Sequence, residues 1–150
     1  MFLGQHHLSL EKENRMTVPL RFSGALADGA VIMQGFDRNL WILPLGKFQQ
    51  LYKRVSSMNI ADPKARLLLR LLLGQACDLV TDESGGIHIP QNLREFAELD
   101  SEIVLVGQGD YFEVWDKNLW QKQESELSDA NANSERFANL VIGLGTTESR

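Results

Sequence analysis

The sequence lacks the features that define several large classes of protein. It has a single cysteine, Cys77, so no internal disulfide can form and a reducing compartment is expected. No apolar run approaches the roughly 20 residues needed to cross a bilayer. The opening residues MFLGQHHLSLEKEN do not have the basic-then-apolar order of a secretory signal. These absences predict a cytoplasmic protein with no membrane partner.

Positive charge is also scarce, because the 150 residues carry a net charge of −5. The deficit lies in one half of the chain. Residues 1–75 contain ten Lys/Arg and five Asp/Glu, whereas residues 76–150 contain five Lys/Arg and fifteen Asp/Glu. Binding of phosphates requires local positive potential, so contacts to a nucleic acid are expected mainly in the first half. A hydrophobic content of 43% at this length fits one globular domain with a buried core.

The chain contains an internal repeat. Residues 11–21, EKENRMTVPLR, and residues 82–94, DESGGIHIPQNLR, share an acid, a polar turn, a short alternating strand and a proline. Shifts of 71 and then 72 residues align Met16 with Ile87, Pro19 with Pro90, Ile32 with Val104 and Ile42 with Val114. The repetition indicates two structurally equivalent halves.

Each repeat predicts the same order of elements. A strand leads through the polar turn into a second strand with period-2 alternation, and the proline ends that strand and opens a short helix. Two apolar strands joined by a turn with Gly and Asp come next, and a helix closes the repeat. Longer helices are predicted over 45–57, over 63–73 with Asp62 as N-cap, and over 117–127 after Asp116.

Neither repeat encloses a core alone, so the two halves are expected to intertwine. The predicted fold class is α+β, with two pseudo-repeated halves forming a small β-barrel flanked by helices. The predicted divisions are a first repeat over 1–57, a connecting leucine-rich helix over 58–75, a second repeat over 76–127 and a partly ordered, weakly helical tail over 128–150.

The repeated turn has residues suited to a tight backbone. Glu11 and Asp82 are placed to accept hydrogen bonds from the backbone N–H groups that follow them. Asn14, Gly85 and Gly86 are residue types that tolerate positive φ. The sequence therefore predicts that both turns position the residue that starts the next strand.

Three cations accompany the first copy of this turn. Arg15 is expected to leave the turn on a strand face near Arg21, with Lys12 at the turn tip. Such a group pairs with phosphates or, through arginine, with the edge of guanine. An ordinary solvated surface is the competing interpretation, and composition alone favours it.

Other candidate sites have weaker support. Neither CxxC nor HExxH spacing accompanies the possible metal ligands, so no metal is expected at His6, His7, Cys77 or His88. The triplet at 107–109, GQG, joins two strands instead of opening a helix and is interpreted as a hairpin turn, not a nucleotide loop. The tryptophans are expected in the core or at a subunit interface: Trp41, Trp115 and Trp120.

An enzyme is the least favoured class. The sequence has no Ser/His/Asp order, no glycine elbow and no paired catalytic carboxylates beside an evident cleft. No cofactor and no small-molecule substrate are expected. A hydrolase or nucleotide enzyme would require a pocket that gathers several of the acids and histidines.

Four blocks of the sequence together resemble one known family. They are MFLG, EKENRMTVPLRF, ARLLLRLLLGQACDLVTDESGGIHIPQNLR and EIVLVGQGDYFEVWDKNLW, in order within residues 1–125. In these blocks the chain resembles the MraZ family of bacterial transcriptional regulators, whose barrel belongs with the AbrB-type swapped-hairpin domains. The resemblance implies a nucleoid-associated repressor that forms a ring homo-oligomer. It also implies binding to tandem G-containing repeats in double-stranded DNA upstream of the division and cell-wall gene cluster, which includes the regulator's own gene.

The family's signature is an Asp-x-x-x-Arg phrase in each half. Here the first copy is Glu11 and Arg15, and the second has Asp82 with Gly86 where arginine is expected. Position by position, the resemblance makes Arg15 the leading DNA contact. Lys12 and Arg21 support it, and Arg94 is a further candidate. The alternative is an interaction module or ring scaffold of the same fold that binds a protein partner and not DNA.

Overall fold

Eight strands and six helices occur within residues 1–140, the part of the chain that the computed structural model describes. The strands are β1 (Gln5–Ser9), β2 (Arg15–Thr17), β3 (Ala30–Gln34), β4 (Leu40–Pro44), β5 (Cys77–Leu79), β6 (Gly86–His88), β7 (Glu102–Gly107) and β8 (Phe112–Asp116). The helices are α1 (Leu20–Ala25), α2 (Leu45–Ser56), α3 (Pro63–Leu73), α4 (Gln91–Phe96), α5 (Lys117–Leu127) and α6 (Ala130–Arg136).

The prolines and acids that the sequence places before helices do stand at the starts of those helices. Pro19, Pro44 and Pro90 each stand immediately before α1, α2 and α4, where a missing N–H costs no hydrogen bond. The Asp62 carboxylate accepts from the Lys64 N–H at 2.9 Å at the start of α3, and Asp116 Oδ2 accepts from the Asn118 N–H at 3.0 Å. The predicted helices are therefore confirmed to within a residue or two.

The two halves exchange strands, as the repeat predicts. All strand pairs are antiparallel, and the six-stranded sheet has the order β1-β7-β8-β4-β3-β5, while β2 and β6 form a separate two-stranded ribbon. The first strand of each repeat thus pairs with a later strand of the other. The fold is α+β with two interlocked repeats.

A pseudo-twofold axis relates the halves. In the ribbon, Met16 lies opposite Ile87, its own equivalent at a shift of 71. In the sheet, Trp41 lies opposite Glu113, its equivalent at a shift of 72. A residue that pairs with its own equivalent lies on the symmetry axis, so the axis passes through both pairs.

The ribbon connects to the sheet edges through the two repeated turns. The Glu11 N–H donates to the Arg15 carbonyl at 2.7 Å, and the Asp82 N–H donates to the Gly86 carbonyl at 3.0 Å. These bonds close the turns that join the edge strands β1 and β5 to β2 and β6. The strand pairing within residues 1–140 does not show a closed barrel, so the predicted barrel stays a prediction.

The main core lies between the ribbon and the sheet and holds side chains from both repeats. Phe22 is fully buried, and its ring centroid is 4.9 Å from those of Phe2, Phe112 and His6. Trp115 and Trp120 are buried in a smaller cluster, as predicted, whereas Trp41 is half-buried. A third cluster packs α2 and α3 against the sheet through residues such as Met33, Leu43 and Leu72.

The chain divides into two compact units, Met1–Trp120 and Gln121–Arg150. In the second unit Asp129 stands immediately before α6, and its carboxylate accepts from the Ala132 N–H at 3.1 Å. Residues 141–150 of the predicted weakly helical tail lie outside the described residues. No helix within residues 1–140 has the length and apolar character needed to cross a membrane.

Replacing Phe22 by alanine is expected to lower the free energy of unfolding by about 3–5 kcal/mol, because a fully buried ring in contact with three other rings leaves a cavity. Urea denaturation followed by circular dichroism measures this loss. Leu20→Ala, on the same helix at 86% exposure, is the matched control and should change stability by no more than about 0.5 kcal/mol. Equal losses in the two variants would contradict the assignment of the core.

Candidate nucleic-acid interface

The outer face of the β2–β6 ribbon carries the residues that the sequence singles out. Met16 and Ile87 point inward and are fully buried. Since side chains alternate along a strand, the residues on either side of them face outward. These are Arg15, Thr17, Gly86 and His88. The pairing thus brings the start of one repeated motif beside the start of the other.

The first turn, residues 11–14, bends through two consecutive left-handed residues. Glu13 has φ 60° and Asn14 has φ 58°, a conformation that asparagine adopts more readily than most residues. The Asn14 side chain is held by α4: its amide donates to the Gln91 carbonyl oxygen at 2.9 Å, and its own oxygen accepts from Arg94 at 2.6 Å. The first turn is therefore fixed by the helix of the other repeat.

The second turn, residues 82–85, has the geometry expected from the sequence. Asp82 Oδ1 accepts from the backbone N–H of Ser84 at 3.0 Å and of Gly86 at 2.8 Å. Gly85 has φ 78°, which glycine adopts without strain. Glu11 does not follow the predicted pattern, because its carboxylate accepts from side chains and not from the backbone of its turn. Its longer side chain reaches across to the ribbon instead.

Arg15 spans the two turns and uses all five of its N–H donors within the chain. Nε donates to Asp82 Oδ2 at 2.9 Å and Nη2 to Asp82 Oδ1 at 3.1 Å, a bidentate pair. Nη1 donates to Glu11 Oε1 at 2.6 Å and to Thr17 Oγ1 at 2.9 Å. The second Nη2 donor reaches Ser84 Oγ at 2.9 Å. As it lies here, the predicted leading contact has no donor left for a ligand.

The charges of this cluster reinforce one another. Hydrogen bonds from Arg15, and then from the Gly86 N–H, hold the pKa of the Asp82 carboxyl well below its usual range. The pKa of Glu11 is lowered by the hydroxyl of Thr17 and by Arg15. The two carboxylates in turn raise the pKa of the Arg15 guanidinium, with Asp82 the larger influence. We call these three residues, with Thr17 and Ser84, the arginine clamp.

Gly86, which stands where the second repeat lacks its arginine, leaves the space that the Arg15 guanidinium occupies. A Cβ atom at this position would overlap the Nη2, Cζ and Nε atoms of Arg15, because the guanidinium lies directly over the glycine. Position 86 is the equivalent of position 15, so a second arginine would begin in the space that the first one occupies. One guanidinium serves both carboxylates of the duplicated motif.

The other three predicted contacts lie in two different environments. Lys12 in the first turn and Arg21 in α1 are exposed, and neither forms an ion pair with any residue from 1 to 140. Arg94 is half-buried, and it donates to Asn14 Oδ1 and to the Leu99 carbonyl at 3.1 Å. The structure therefore places Lys12 and Arg21 as accessible cations and gives Arg94 a structural role in holding the first turn.

A cleft that the sequence did not reveal lies between β4, α2 and the turn that joins β7 to β8. It has a volume of about 330 Å³ and is lined by Trp41, Leu43, Lys47, Gln50, Leu51, Arg54, Gln108, Asp110 and Tyr111. It contains one acid and no histidine, so it does not gather the residues that an enzyme of the type considered above requires. No group of three or more His, Cys, Asp or Glu side chains within residues 1–140 could hold a metal ion.

Comparison with known sequences assigns the family. The sequence profile of the MraZ protein family, described as antitoxin-like, matches the chain twice, over residues 1–71 and 72–140. The chain belongs to the MraZ family. A relative from Roseiflexus castenholzii named Transcriptional regulator MraZ is 42% identical over 144 residues, 96% of this chain and 99% of its own length.

The family match extends to distant bacteria. Relatives with the same name are 36% identical in Methylococcus capsulatus, over 84% of this chain and 86% of theirs, and 30% identical in Clostridium acetobutylicum, over 95% and 100%. MraZ proteins are thus named as regulators of transcription and not as enzymes. The two matched segments correspond to the two interlocked repeats of the fold.

Asp82→Asn is expected to destabilise the protein at neutral pH, because the amide carries no charge and its nitrogen, in place of Oδ2, cannot accept from Arg15 Nε. The pKa of Asp82 is lowered by folding, so its contribution is complete above the ordinary carboxyl pKa of about 3.9 and is lost as the pH falls through the folded value. The stability difference between wild type and variant should therefore be constant from pH 5 to 8 and shrink below about pH 4. Urea midpoints measured across pH 2.5–8 test this, and a difference that does not change with pH would contradict it.

Proposed function

We propose that this MraZ protein regulates transcription by binding double-stranded DNA with the face that carries the ribbon and the two repeated turns. One observation carries the proposal: the interlocked fold brings both copies of the family's signature motif together in one ribbon, with exposed Lys12 in the first turn and exposed Arg21 in the helix that follows β2. Exposed lysine and arginine contact phosphates, and arginine also reads guanine. The expected targets are tandem G-containing repeats upstream of its own gene in the division and cell-wall cluster, where binding represses transcription at the nucleoid.

The charge near the two turns limits the strength of a single contact. Arg15 is neutralised by Glu11 and Asp82, and Glu13 and Glu83 add further negative charge in the same turns. One subunit therefore offers few free cations to DNA. Several subunits on several repeats compensate, since linked contacts can exceed the affinity of one site by roughly 10² to 10⁴.

Self-association into a ring is the second part of the proposal. Residues 45–73, which form α2 and α3, contain six Lys/Arg and one acid, a net +5 in a chain of net −5. The same segment exposes apolar side chains: Tyr52 in α2 at 49%, Ile60 between the two helices at 70% and Leu67 in α3 at 62% exposure. A basic and partly apolar surface complements the acidic second half of a neighbouring copy, and such a head-to-tail contact closes into a ring.

The double variant Lys12→Ala/Arg21→Ala should bind its upstream DNA more weakly than wild type and with a smaller salt dependence. Each phosphate contact contributes roughly 0.9 to the slope of log affinity against log salt, so the loss of two contacts in a subunit should lower the slope by roughly 1.8 for every subunit bound. Fluorescence anisotropy with a duplex from the region upstream of the gene, at several salt concentrations, measures both quantities. A scrambled duplex of the same length reports the affinity that is independent of sequence.

The matched control is Lys122→Ala/Arg136→Ala, which removes the same charge from two exposed positions outside both the ribbon face and the α2–α3 surface. Its DNA slope should equal that of wild type once both proteins are compared in the same oligomeric state. If the two double variants lower the slope equally, the ribbon face is not the specific DNA surface. If wild type binds no DNA at all in low salt, the proposed function is wrong.

A ring scaffold without DNA binding is the second candidate, and the closed arginine clamp together with the basic α2–α3 surface favours it. Under this alternative Lys64→Ala/Arg70→Ala should reduce the native mass, while Lys12→Ala/Arg21→Ala leaves it unchanged. Analytical ultracentrifugation at micromolar protein measures these masses, which are the same for the scaffold and for the DNA-binding ring. The two candidates differ in DNA binding, because only the regulator binds the upstream duplex in low salt. A wild-type protein that is strictly monomeric under these conditions contradicts both the scaffold and the ring.

A further inference from the structure

We infer that the arginine clamp is an internal competitor for DNA: Asp82 and Glu11 occupy the guanidinium of Arg15, and Gly86 provides the space in which they do so. The inference rests on the proposed DNA binding of this face. According to this inference, Asp82 and Gly86 determine how tightly the protein binds DNA, although neither residue has a side-chain donor for it. Arg15 exists in a closed state held by its own chain and in an open state that a nucleic acid selects.

The hydrogen-bond geometry defines the closed state. A bidentate contact to guanine needs two N–H donors of one guanidinium, directed at O6 and N7. In the clamp all five donors already have acceptors, at distances from 2.6 to 3.1 Å. The side chain retains only 20% of its exposure. A base edge can therefore be read only after at least two of these bonds are broken.

The competing acceptors resemble the ligand. A carboxylate offers two in-plane oxygens to the guanidinium fork, as guanine does through O6 and N7, and it adds a full negative charge. Only a partner that supplies paired acceptors within strong negative potential can displace Asp82. The edge of guanine flanked by phosphates meets both requirements, so the clamp favours duplex DNA over neutral surfaces.

Gly86 is the residue on which the closed state depends. The guanidinium lies over its Cα, and a methyl group there would overlap three of the guanidinium atoms. The backbone of Gly86 lies outside the left-handed region, unlike that of Gly85, so alanine fits the main chain without strain. The atoms that must move belong to the end of a flexible side chain. Gly86→Ala should therefore expel Arg15 from the clamp and leave the fold intact.

Asp82→Asn opens the clamp by a different route. Its carbonyl oxygen can still accept from the N–H groups of Ser84 and Gly86, which keeps the second turn, while its amide group faces Nε of Arg15 and cannot accept from it. Glu83→Gln is the matched control, because it removes the same charge from the same turn and Glu83 makes no ion pair with Arg15.

The experiment compares the affinity of five proteins for the upstream duplex by fluorescence anisotropy at fixed salt. Gly86→Ala and Asp82→Asn should each bind about five-fold more tightly or better, the lower limit for a gained bidentate arginine contact. Glu83→Gln should gain much less than Asp82→Asn. Adding Arg15→Gln to Gly86→Ala should remove the gain, since no guanidinium remains to be released.

A second measurement tests the clamp without DNA. In ¹⁵N NMR spectra the Arg15 Nε–H should exchange slowly with water in wild type and rapidly in Gly86→Ala. A fast-exchanging Arg15 in wild type would overturn the closed state. Gly86→Ala and Asp82→Asn binding no better than wild type, or Glu83→Gln gaining as much as Asp82→Asn, would overturn the competition. In either case salt-dependent binding through Lys12 and Arg21 would still stand, so failure of this inference is distinct from failure of the proposed function.

Discussion

The contact between Met16 and Ile87 is the constraint on which the rest of the structure depends. Both side chains are fully buried, and they lie opposite each other on the pseudo-twofold axis. A shift of one residue in this pairing would turn both of them to the solvent side, so the core fixes the register of the ribbon. Because the register is fixed, the outward residues on either side are fixed as well. The position of Arg15 over Gly86 is thus a consequence of burying two apolar side chains.

The symmetry of the backbone is not repeated in the charges. Two equivalent turns each present an acid, but only one strand presents an arginine, so both acids converge on a single guanidinium. With an arginine at position 86 as well, the Arg15 guanidinium would have to leave its present place, since a Cβ atom at position 86 begins where that guanidinium rests. The duplicated fold therefore accommodates a sequence difference that changes electrostatics and leaves the main chain unaltered. A side chain suited to reading DNA becomes part of the link between the two repeats.

The sequence predicted the elements well because their signals are local. Prolines mark where β2, β4 and β6 are followed by helices, and acids cap α3 and α5. The match of the sequence with itself at a shift of 71 residues reveals the two halves. The partner of Arg15 was not predictable in this way. Asp82 is 67 residues away along the chain, and it reaches Arg15 only through the exchange of strands between repeats. The pattern identified an arginine of interest but not whether its charge was free, which depends on tertiary packing.

Under the proposed binding of DNA by a ring, the clamp has a stronger effect in the assembly than in one subunit. In a ring that binds several DNA repeats, each subunit that reads a base must open its own clamp, so the free-energy cost of opening is added once for every contact. Avidity raises the affinity of the assembly with every further contact. With a modest cost of opening in each subunit, the affinity for DNA with the full set of repeats then exceeds the affinity for DNA with one copy by a large factor. A single unclamped arginine would bind isolated sites more tightly and discriminate less between them. Weak individual sites made of one neutralised arginine are thus consistent with strong selection for repeated targets, which is the property that a regulator of tandem sites requires.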